Sequence, residues 1–274
     1  MTDSPPSPLR RPAVAGQFYP ADPQELRAVI KEFTPADGEE RVPALAVISP
    51  HAGYVYSGRV AAETFARVMI PETVIILGPN HHGLGDRLAV MASGRWQIPG
   101  AELAIDHTLA SRLLAESALF TNDLRAHTHE HSLEVQAPFL HYHGAKSIVP
   151  ICLSFLPYEL CRQAGEALAR AIHSAGRPIL LVASSDMTHY ESRSSATRKD
   201  QLALEQILAL DPEGLYRTVV DSRISMCGII PTTIALVAAK LLGATRADLI
   251  RYTDSGEVSG DTRQVVGYAG LIIS

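Results

Sequence analysis

Several features that quickly narrow a protein's function are scarce in this chain. Its 274 residues include only three cysteines, too few for a disulfide framework, so a reducing compartment fits best. The formal net charge is -5 and no long basic stretch occurs, which argues against nucleic-acid binding. No apolar run reaches the ~18 residues that span a bilayer, and the N-terminus lacks the apolar segment of a secretory signal. We therefore expect a cytoplasmic protein that binds neither nucleic acid nor a membrane.

The chain does contain apolar runs of strand length that alternate with longer helical patterns. The predicted strands span residues 44–49, 73–77, 87–91, 147–153, 178–184, 247–252 and 265–273. The predicted helices span residues 23–33, 58–67, 107–115, 132–141, 157–174, 195–208, 212–220 and 231–242. Several strands are continuously hydrophobic, as expected for strands covered on both faces. The alternation predicts an α/β protein with a three-layer α/β/α architecture.

The organisation along the chain is simple. No internal repeat and no low-complexity linker follows the first dozen residues, so we expect a disordered lead over 1–11 and a single domain over 12–274. Asp22 before Pro23, and Asp211 before Pro212, indicate helix N-termini. Aspartate accepts an early helix N–H at such a position, and proline presets φ.

The most informative pattern is that three predicted strands lead into histidine. His51 follows the first strand, His81 and His82 follow the second, and His189 follows the strand that ends at residue 184. Ligands of open α/β sheets bind beyond the carboxyl ends of the strands. The histidines therefore predict one shared site, most simply a metal site.

Each of these segments also has an ordinary structural explanation. His51 alone would be a turn residue, with Tyr54 nearby as a pocket wall or proton donor. His81 and His82 are adjacent, so in an extended chain one would face the site and the other would pack or face solvent. The agreement between separate strand ends favours the functional interpretation.

Two further segments supply acid–base groups and a thiol. Asp186 and His189 are three residues apart, so a helical turn would place them on one side, where the carboxylate would orient the imidazole for proton transfer. Asp186 would alternatively cap a short helix. Cys227 precedes Gly228 near a predicted helix start, where a thiolate is favoured. The usual alternative for a lone cysteine is a buried, inert side chain.

A histidine-rich stretch over residues 126–136 is the last candidate. We expect His131 and Glu134 to share a face and line the pocket, and we assign no role to His127 and His129. A solvated loop is the alternative. The remaining histidines are expected at the surface: His107, His141, His143 and His173.

Taken together, the motifs resemble a known family. They are the segments 14–20 (VAGQFYP), 50–54 (PHAGY), 78–82 (GPNHH), 130–134 (EHSLE), 184–189 (SSDMTH), 227–228 (CG) and 266–270 (VGYAG). They resemble the Memo family, which is named for a mediator of receptor-driven cell motility. The prokaryotic members of that family are labelled protein B of the AmmeMemoRadiSam system. The resemblance extends from about residue 12 to the end. It implies the fold of the class III extradiol (LigB-type) dioxygenases, with a central mixed sheet between helical layers.

The resemblance also implies a site. The two histidines and the cysteine of the family's vestibule correspond to His51, His81 and Cys227, with His82 as a neighbour of the site. In the dioxygenase relatives the third ligand of Fe(II) is a carboxylate, and a further histidine, matched here by His189, acts as acid and base. A thiolate makes the site softer, so we expect one divalent ion, with iron as the first choice and copper or zinc as alternatives.

Three functional hypotheses follow. The leading one is a metal-dependent, dioxygenase-like oxidoreductase with an unknown small molecule or peptide as substrate. The second, from the same family, is a non-catalytic adaptor that binds an anionic or phosphorylated group in the cleft. The third is nucleophilic chemistry at Cys227. The family's name implies a functional link to a radical-SAM enzyme. The chain has no Cys-x-x-x-Cys-x-x-Cys cluster, so radical chemistry would belong to that partner.

Overall fold

A computed structural model describes residues 7–35 and 40–274. The described residues form a twelve-stranded mixed sheet, ordered β1-β5-β6-β8-β3-β9-β2-β12-β10, with β11 paired to β12 and β4 to β7 and β8. The strands are β1 Leu9–Arg10, β2 Ala46–Ser49, β3 Thr73–Pro79, β4 Leu88–Val90, β5 Arg95–Ile98, β6 Ala101–Ile105, β7 Thr121–Asn122, β8 Ser147–Leu153, β9 Leu180–Ser184, β10 His189–Glu191, β11 Ala247–Asp254 and β12 Val265–Ile273. The α/β class and the mixed sheet are thereby confirmed.

Helices cover both faces of the sheet. They are α1 Pro23–Phe33, α2 Tyr54–Ala66, α3 His107–Glu116, α4 Ala137–Tyr142, α5 Tyr158–Ala175, α6 Arg193–Leu208, α7 Pro212–Asp221, α8 Ile229–Leu241 and α9 Gly256–Ser259. Helices α1, α2 and α4 pack on one face, while α3 and α5 to α8 pack on the other. No helix in the described part of the chain is both long and apolar enough to cross a membrane.

The central strands explain the two cores. Strand β3 is buried along its whole length. Successive side chains of a strand point to opposite faces, so Val74 and Ile76 enter one core while Ile75 and Leu77 enter the other. Strands β8, β3, β9 and β2 are parallel neighbours, and their carboxyl ends therefore meet at one edge of the sheet.

Two helix starts confirm the capping prediction. The Asp22 carboxylate accepts hydrogen bonds from the N–H groups of Gln24 and Glu25, with Pro23 in the first turn of α1. The Asp211 carboxylate accepts from the N–H of Gly214 at the start of α7. A short polar side chain at this position satisfies N–H groups that have no partner within the helix.

Three sequence predictions are wrong in detail. The helix predicted over 132–141 is divided into the 3-10 turn Glu134–Gln136 and the short helix α4. No helical turn forms at residues 186–188, which are irregular and lead into β10. The disorder predicted for residues 1–11 does not extend to Leu9–Arg10, which pairs with Arg95 and Trp96 of β5. Residues 1–6 lie outside the described residues.

Candidate metal centre

The candidate centre lies at the sheet edge where the parallel strands end. His51 lies two residues beyond β2, His81 two residues beyond β3, and Asp186 two residues beyond β9. These three strands are neighbours in the order β3-β9-β2. The topology therefore brings together residues that are as much as 135 positions apart in the chain.

The His51 ring is held by a chain of hydrogen bonds that determines its tautomer. The Ser184 hydroxyl donates to the carbonyl of Ser132 at 2.6 Å and accepts from Nε2 of Gln136 at 2.8 Å. His51 Nδ1 lies 2.9 Å from the same Ser184 oxygen, whose proton is already committed, so Nδ1 carries the hydrogen and donates. Nε2 of His51 is then left with a free lone pair, the form that binds metals.

Glu130 holds His81 in the same way. Oε1 of Glu130 lies 2.8 Å from Nδ1 of His81, and Oε2 accepts from the His81 backbone N–H at 2.7 Å. Burial of Glu130 would raise the pKa of its carboxyl. The hydrogen bonds from His81 and from the Ser132 backbone outweigh that effect and hold the pKa well below its usual range. An ionised carboxylate on Nδ1 leaves Nε2 of His81 as the free nitrogen.

His131 completes a group that we call the imidazole cluster: His51, His81 and His131. One ring nitrogen from each lies within 4.8 Å of the others. The His81 and His131 rings are stacked with centroids 4.6 Å apart, and His51 meets both edge-on. Burial lowers the pKa of His51 well below its usual value and that of His131 to about 4. Both rings are therefore neutral near pH 7, as metal ligands must be.

Cys227 lies against His51 of this cluster, but its Sγ is not among the ligand atoms that lie within 4.8 Å of those of both His51 and His81. Its Sγ is 3.2 Å from Nε2 of His51 and accepts a hydrogen bond from the Asp186 N–H at 3.3 Å. Burial raises the pKa of the thiol well above its ordinary value. Bond lengths of about 2.3 Å to sulfur and about 2.0 Å to nitrogen place two tetrahedral ligands about 3.5 Å apart. The Cys227–His51 pair is close to that spacing.

Asp186 and His189 are both near the centre, but the predicted contact between them is wrong. Oδ1 of Asp186 accepts from the backbone N–H of His51 at 2.7 Å, and burial raises the pKa of this carboxyl to about 6. His189 instead donates from Nδ1 to the carbonyl of Ser225 at 2.9 Å. Because the expected helical turn is absent, Ser225 orients the imidazole of His189 and Asp186 positions the loop that carries His51.

The pocket role predicted for Glu134 is also wrong. Its side chain is fully buried and points towards the N-terminal segment rather than to the imidazole cluster. It pairs with Arg10 and accepts hydrogen bonds from the N–H groups of Ala13 at 2.8 Å and Val14 at 3.0 Å, and from the Tyr19 hydroxyl at 2.6 Å. Its carboxylate oxygens bind groups between Arg10 and Tyr19, which is a structural role.

Tyr54 lines the wall of a cavity, but its hydroxyl is not placed for proton donation to a substrate. The hydroxyl donates to the carbonyl of Val135 at 2.7 Å, and burial raises its pKa well above the usual value. Tyr54 borders a cavity of about 510 Å³ together with Phe18 and Tyr19. The Phe18 ring is 4.8 Å from that of His131, so this cavity adjoins the imidazole cluster.

The remaining histidines have varied positions. His82, the predicted neighbour of the site, is exposed, and so are His129, His107, His141 and His173. His127 is fully buried, with Nε2 3.1 Å from the Ala89 carbonyl, and His143 is half-buried rather than at the surface.

Sequence reasoning missed the residues that orient the rings: Glu130, Ser132, Ser184 and Gln136. Glu130 had a usable signal, since a carboxylate between His129 and His131 is a natural partner for an imidazole. Ser132, Ser184 and Gln136 form hydrogen bonds to rings or backbone groups that are distant in the chain. A local sequence pattern does not show such partners.

These features define a class of protein: an α/β fold with a large mixed sheet whose strand ends present several imidazoles and one thiol. The chain belongs to the Memo family, since residues 10–272 match the family model described as Memo-like protein. The resemblance inferred from the short motifs is thereby confirmed.

The similar proteins cover nearly the whole chain. A MEMO1 family protein of Methanopyrus kandleri is 44% identical over 277 residues, which covers 96% of this chain and 98% of that protein. A MEMO1 family protein of Aquifex aeolicus is 39% identical over 266 residues, with coverage of 96% and 98%. The crystal structure of an uncharacterized protein from Escherichia coli K12 has a TM-score of 0.60 at 15% identity and covers 83% of this chain and 98% of its own. That likeness concerns the fold alone.

Proposed function

We propose that this cleft binds one divalent metal ion through His51, His81 and Cys227, and that the protein is a metal-dependent, dioxygenase-like oxidoreductase. The observation that carries the proposal is the 3.2 Å approach of Cys227 Sγ to Nε2 of His51. It is supported by the hydrogen bonds to Nδ1 of both histidines, which leave each Nε2 available. Three protein ligands leave an open position, as catalytic metal sites require.

The donor set fits a metal of intermediate softness. Two imidazoles suit iron, copper and zinc alike, while the thiolate favours softer ions than the carboxylate of the dioxygenases would. Iron is the first choice because of the family's likeness to iron dioxygenases, and copper or zinc are the alternatives. When bound, such an ion supplies Lewis acidity and, if it is iron or copper, electron transfer to a ligand in the open position.

The protein's own residues prepare the site for this role. Glu130 and Ser184 hold the ligand rings before any ion arrives, which limits the reorganisation needed on binding. His189 donates from Nδ1 to Ser225, so its Nε2 is free to accept a proton from a bound molecule and return it. Asp186 receives the N–H of His51 and thereby fixes the backbone of the first ligand.

The other two hypotheses have less support. A nucleophilic Cys227 needs an ion pair with His51, but burial raises the pKa of the thiol and lowers that of the imidazole, so the metal-free pair is neutral. An adaptor that attracts anions would use protonated imidazoles, and the lowered pKa values of His51 and His131 oppose protonation. A cation removes both difficulties because it binds the thiolate and the neutral rings.

The test is metal analysis of purified protein and its variants. We expect about one ion per chain in the wild type, and a loss of affinity of at least roughly tenfold in His51→Ala, His81→Ala and Cys227→Ala. His173→Ala is the matched control, since His173 is exposed on α5 and should change nothing. Equal metal content in all five proteins would refute the proposal. An ion lost in His131→Ala but kept in both Cys227→Ala and His82→Ala would assign the third ligand to His131 instead.

Thiol labelling adds an independent measurement. Cys152 and Cys161 are fully buried, whereas Cys227 is half-buried, so a small reagent reports mainly on Cys227. We expect slow labelling in the metal-loaded protein and faster labelling after a chelator is added. A rate that does not depend on the chelator would contradict ligation by this cysteine.

A further inference from the structure

We propose a second divalent-cation site at the mouth of the cleft, formed by His82, Glu130 and His131, which we call the outer site. One ligand atom from each of these side chains lies within 4.8 Å of the others. The inner site is the set His51, His81 and Cys227. The two sites share no ligand, although Glu130 of the outer site also binds His81 of the inner one.

The outer site arises from how the chain leaves β3. His81 and His82 lie in a bend just beyond β3, where the His81 ring contacts that of His51 while the His82 ring contacts that of His129. The result is an exposed imidazole beside the half-buried His131 and the fully buried Glu130. An ion held there would lie beside the exposed His82, whereas His51 of the inner site is only 2% exposed.

Glu130 has coordination capacity left for a cation. Its Oε1 accepts from Nδ1 of His81 and from the Ser132 N–H, while Oε2 accepts from the His81 N–H. A carboxylate offers about four lone-pair positions, and these three bonds occupy three of them. The hydrogen bonds of the described residues therefore leave one lone pair of Oε2 available for an ion.

Charge and chemistry indicate the class of cation. The site offers one ionised carboxylate and two imidazoles, a donor set that suits borderline divalent ions such as Zn²⁺, Co²⁺ and Ni²⁺. It contains no thiolate, in contrast to the inner site. Two nitrogens and one oxygen also leave positions open for water, which fits a site at the mouth of a cleft.

Glu130 connects the two sites. The carboxylate that would bind the outer ion also receives Nδ1 and the backbone N–H of His81, an inner ligand. An ion on Oε2 withdraws charge from that carboxylate and weakens its hold on His81. Occupation of the outer site is therefore expected to lower the metal affinity of the inner site. By reciprocity, an ion in the inner site should lower the metal affinity of the outer site.

The experiment is a titration of metal-free protein with Co²⁺, followed by calorimetry and by visible absorption. The variant His51→Ala/Cys227→Ala removes two inner ligands and should still bind one ion. Adding His82→Ala should weaken that remaining binding by at least roughly tenfold. His129→Ala in the same background is the control, because His129 is exposed with its ring 6.2 Å from that of His82 but outside the site. Circular dichroism establishes that every variant is folded.

The outcomes separate the two proposals. If the His51→Ala/Cys227→Ala protein binds no Co²⁺, or if His82→Ala changes its binding no more than His129→Ala does, the outer site is refuted. If the wild type loses its ion with His82→Ala but not with His51→Ala, the outer site stands and the inner one fails. A sulfur-to-cobalt charge-transfer band arises only from the inner site, so its absence from the double variant verifies that the remaining ion lies outside.

Discussion

At the scale of single residues, the candidate centre depends on side chains that hold other side chains. His51 and His81 have the right chemistry for ligands, but Ser184 and Glu130 decide which nitrogen faces the cleft. The sequence pattern indicated the imidazoles because each follows a strand. It did not indicate Ser184, since that serine acts on a ring 133 positions away. Partners of this kind are determined by the tertiary fold, and a local pattern carries no trace of them.

Glu134 supports a prediction about stability. Glu134→Ala leaves the Arg10 guanidinium buried without its counter-charge, and removal of one partner from a buried ion pair costs about 3–5 kcal/mol. We expect that loss in the free energy of unfolding from urea denaturation. Glu102→Ala is the control, because Glu102 pairs with Arg95 at the surface and such pairs contribute at most about 1 kcal/mol. Equal effects of the two substitutions would contradict the structural role assigned to Glu134.

At the scale of elements, the sequence was informative where local chemistry decides the structure. Helix α1 begins at Pro23 and ends at Phe33, as predicted, because its cap and its apolar spacing lie within the same short segment. The hairpin of β5 and β6 was missed. Its strands Arg95–Ile98 and Ala101–Ile105 alternate between outward and buried side chains, but each has at most five residues, and pairing with β1 and β8 stabilises them.

Strand β10 shows an element shaped by a bulge. Its pairing with β12 shifts between His189 and Glu191, which leaves Tyr190 out of register with a φ of 58°. The left-handed region is unfavourable for residues other than glycine. The bulge turns Tyr190 outward, where it is 73% exposed, while His189 stays bound to Ser225. Bulges of this kind commonly redirect a side chain beside a functional site.

The bulge leads to the prediction that one substitution raises the free energy of unfolding. Tyr190→Gly removes the backbone strain and little packing, so we expect the free energy of unfolding to rise by about 0.5–1 kcal/mol. Tyr56→Gly is the matched control: Tyr56 is also an exposed tyrosine, but it lies in α2, where glycine costs about 1 kcal/mol. Urea denaturation of both variants is the measurement. A loss of stability in Tyr190→Gly comparable to that in Tyr56→Gly would show that the left-handed backbone stores no strain.

At the scale of the whole molecule, the mixed sheet explains why distant motifs converge. The order β3-β9-β2 places the carboxyl ends of three strands side by side. Strand β12 pairs with β2 in the antiparallel direction and continues the sheet on that side. The alternation of strands and helices was enough to predict the class and the layers. The strand order depends on pairings between remote segments, which no local pattern specifies, and so the sequence alone supports the contact of Cys227 with His51 only as a hypothesis.

The buried histidines make a prediction for the stability of the metal-free protein. Burial lowers the pKa of His127, His131 and His143 to about 4, while the unfolded chain titrates near the ordinary value of about 6.5. Between these pH values the unfolded chain binds more protons than the folded one, so stability falls as the pH falls. Asp186, with its pKa raised to about 6, acts in the opposite direction below that pH. Burial also lowers the pKa of His51 and raises that of Asp200. These four imidazoles outnumber the two carboxyls, and we expect a net loss from pH 6.5 towards pH 4.

His127 is the residue on which to test this, because it can be replaced without loss of its hydrogen bond. In His127→Gln the amide can still donate to the Ala89 carbonyl, but the group no longer titrates. Relative to wild type, the variant should lose less stability on acidification, by up to roughly 1.4 kcal/mol for each pH unit over which His127 would titrate. Urea midpoints of chelator-treated protein at several values between pH 7 and pH 4.5 measure the difference, with exposed His173→Gln as control. Parallel pH profiles for wild type and His127→Gln would mean that His127 is protonated as easily in the fold as in the unfolded chain.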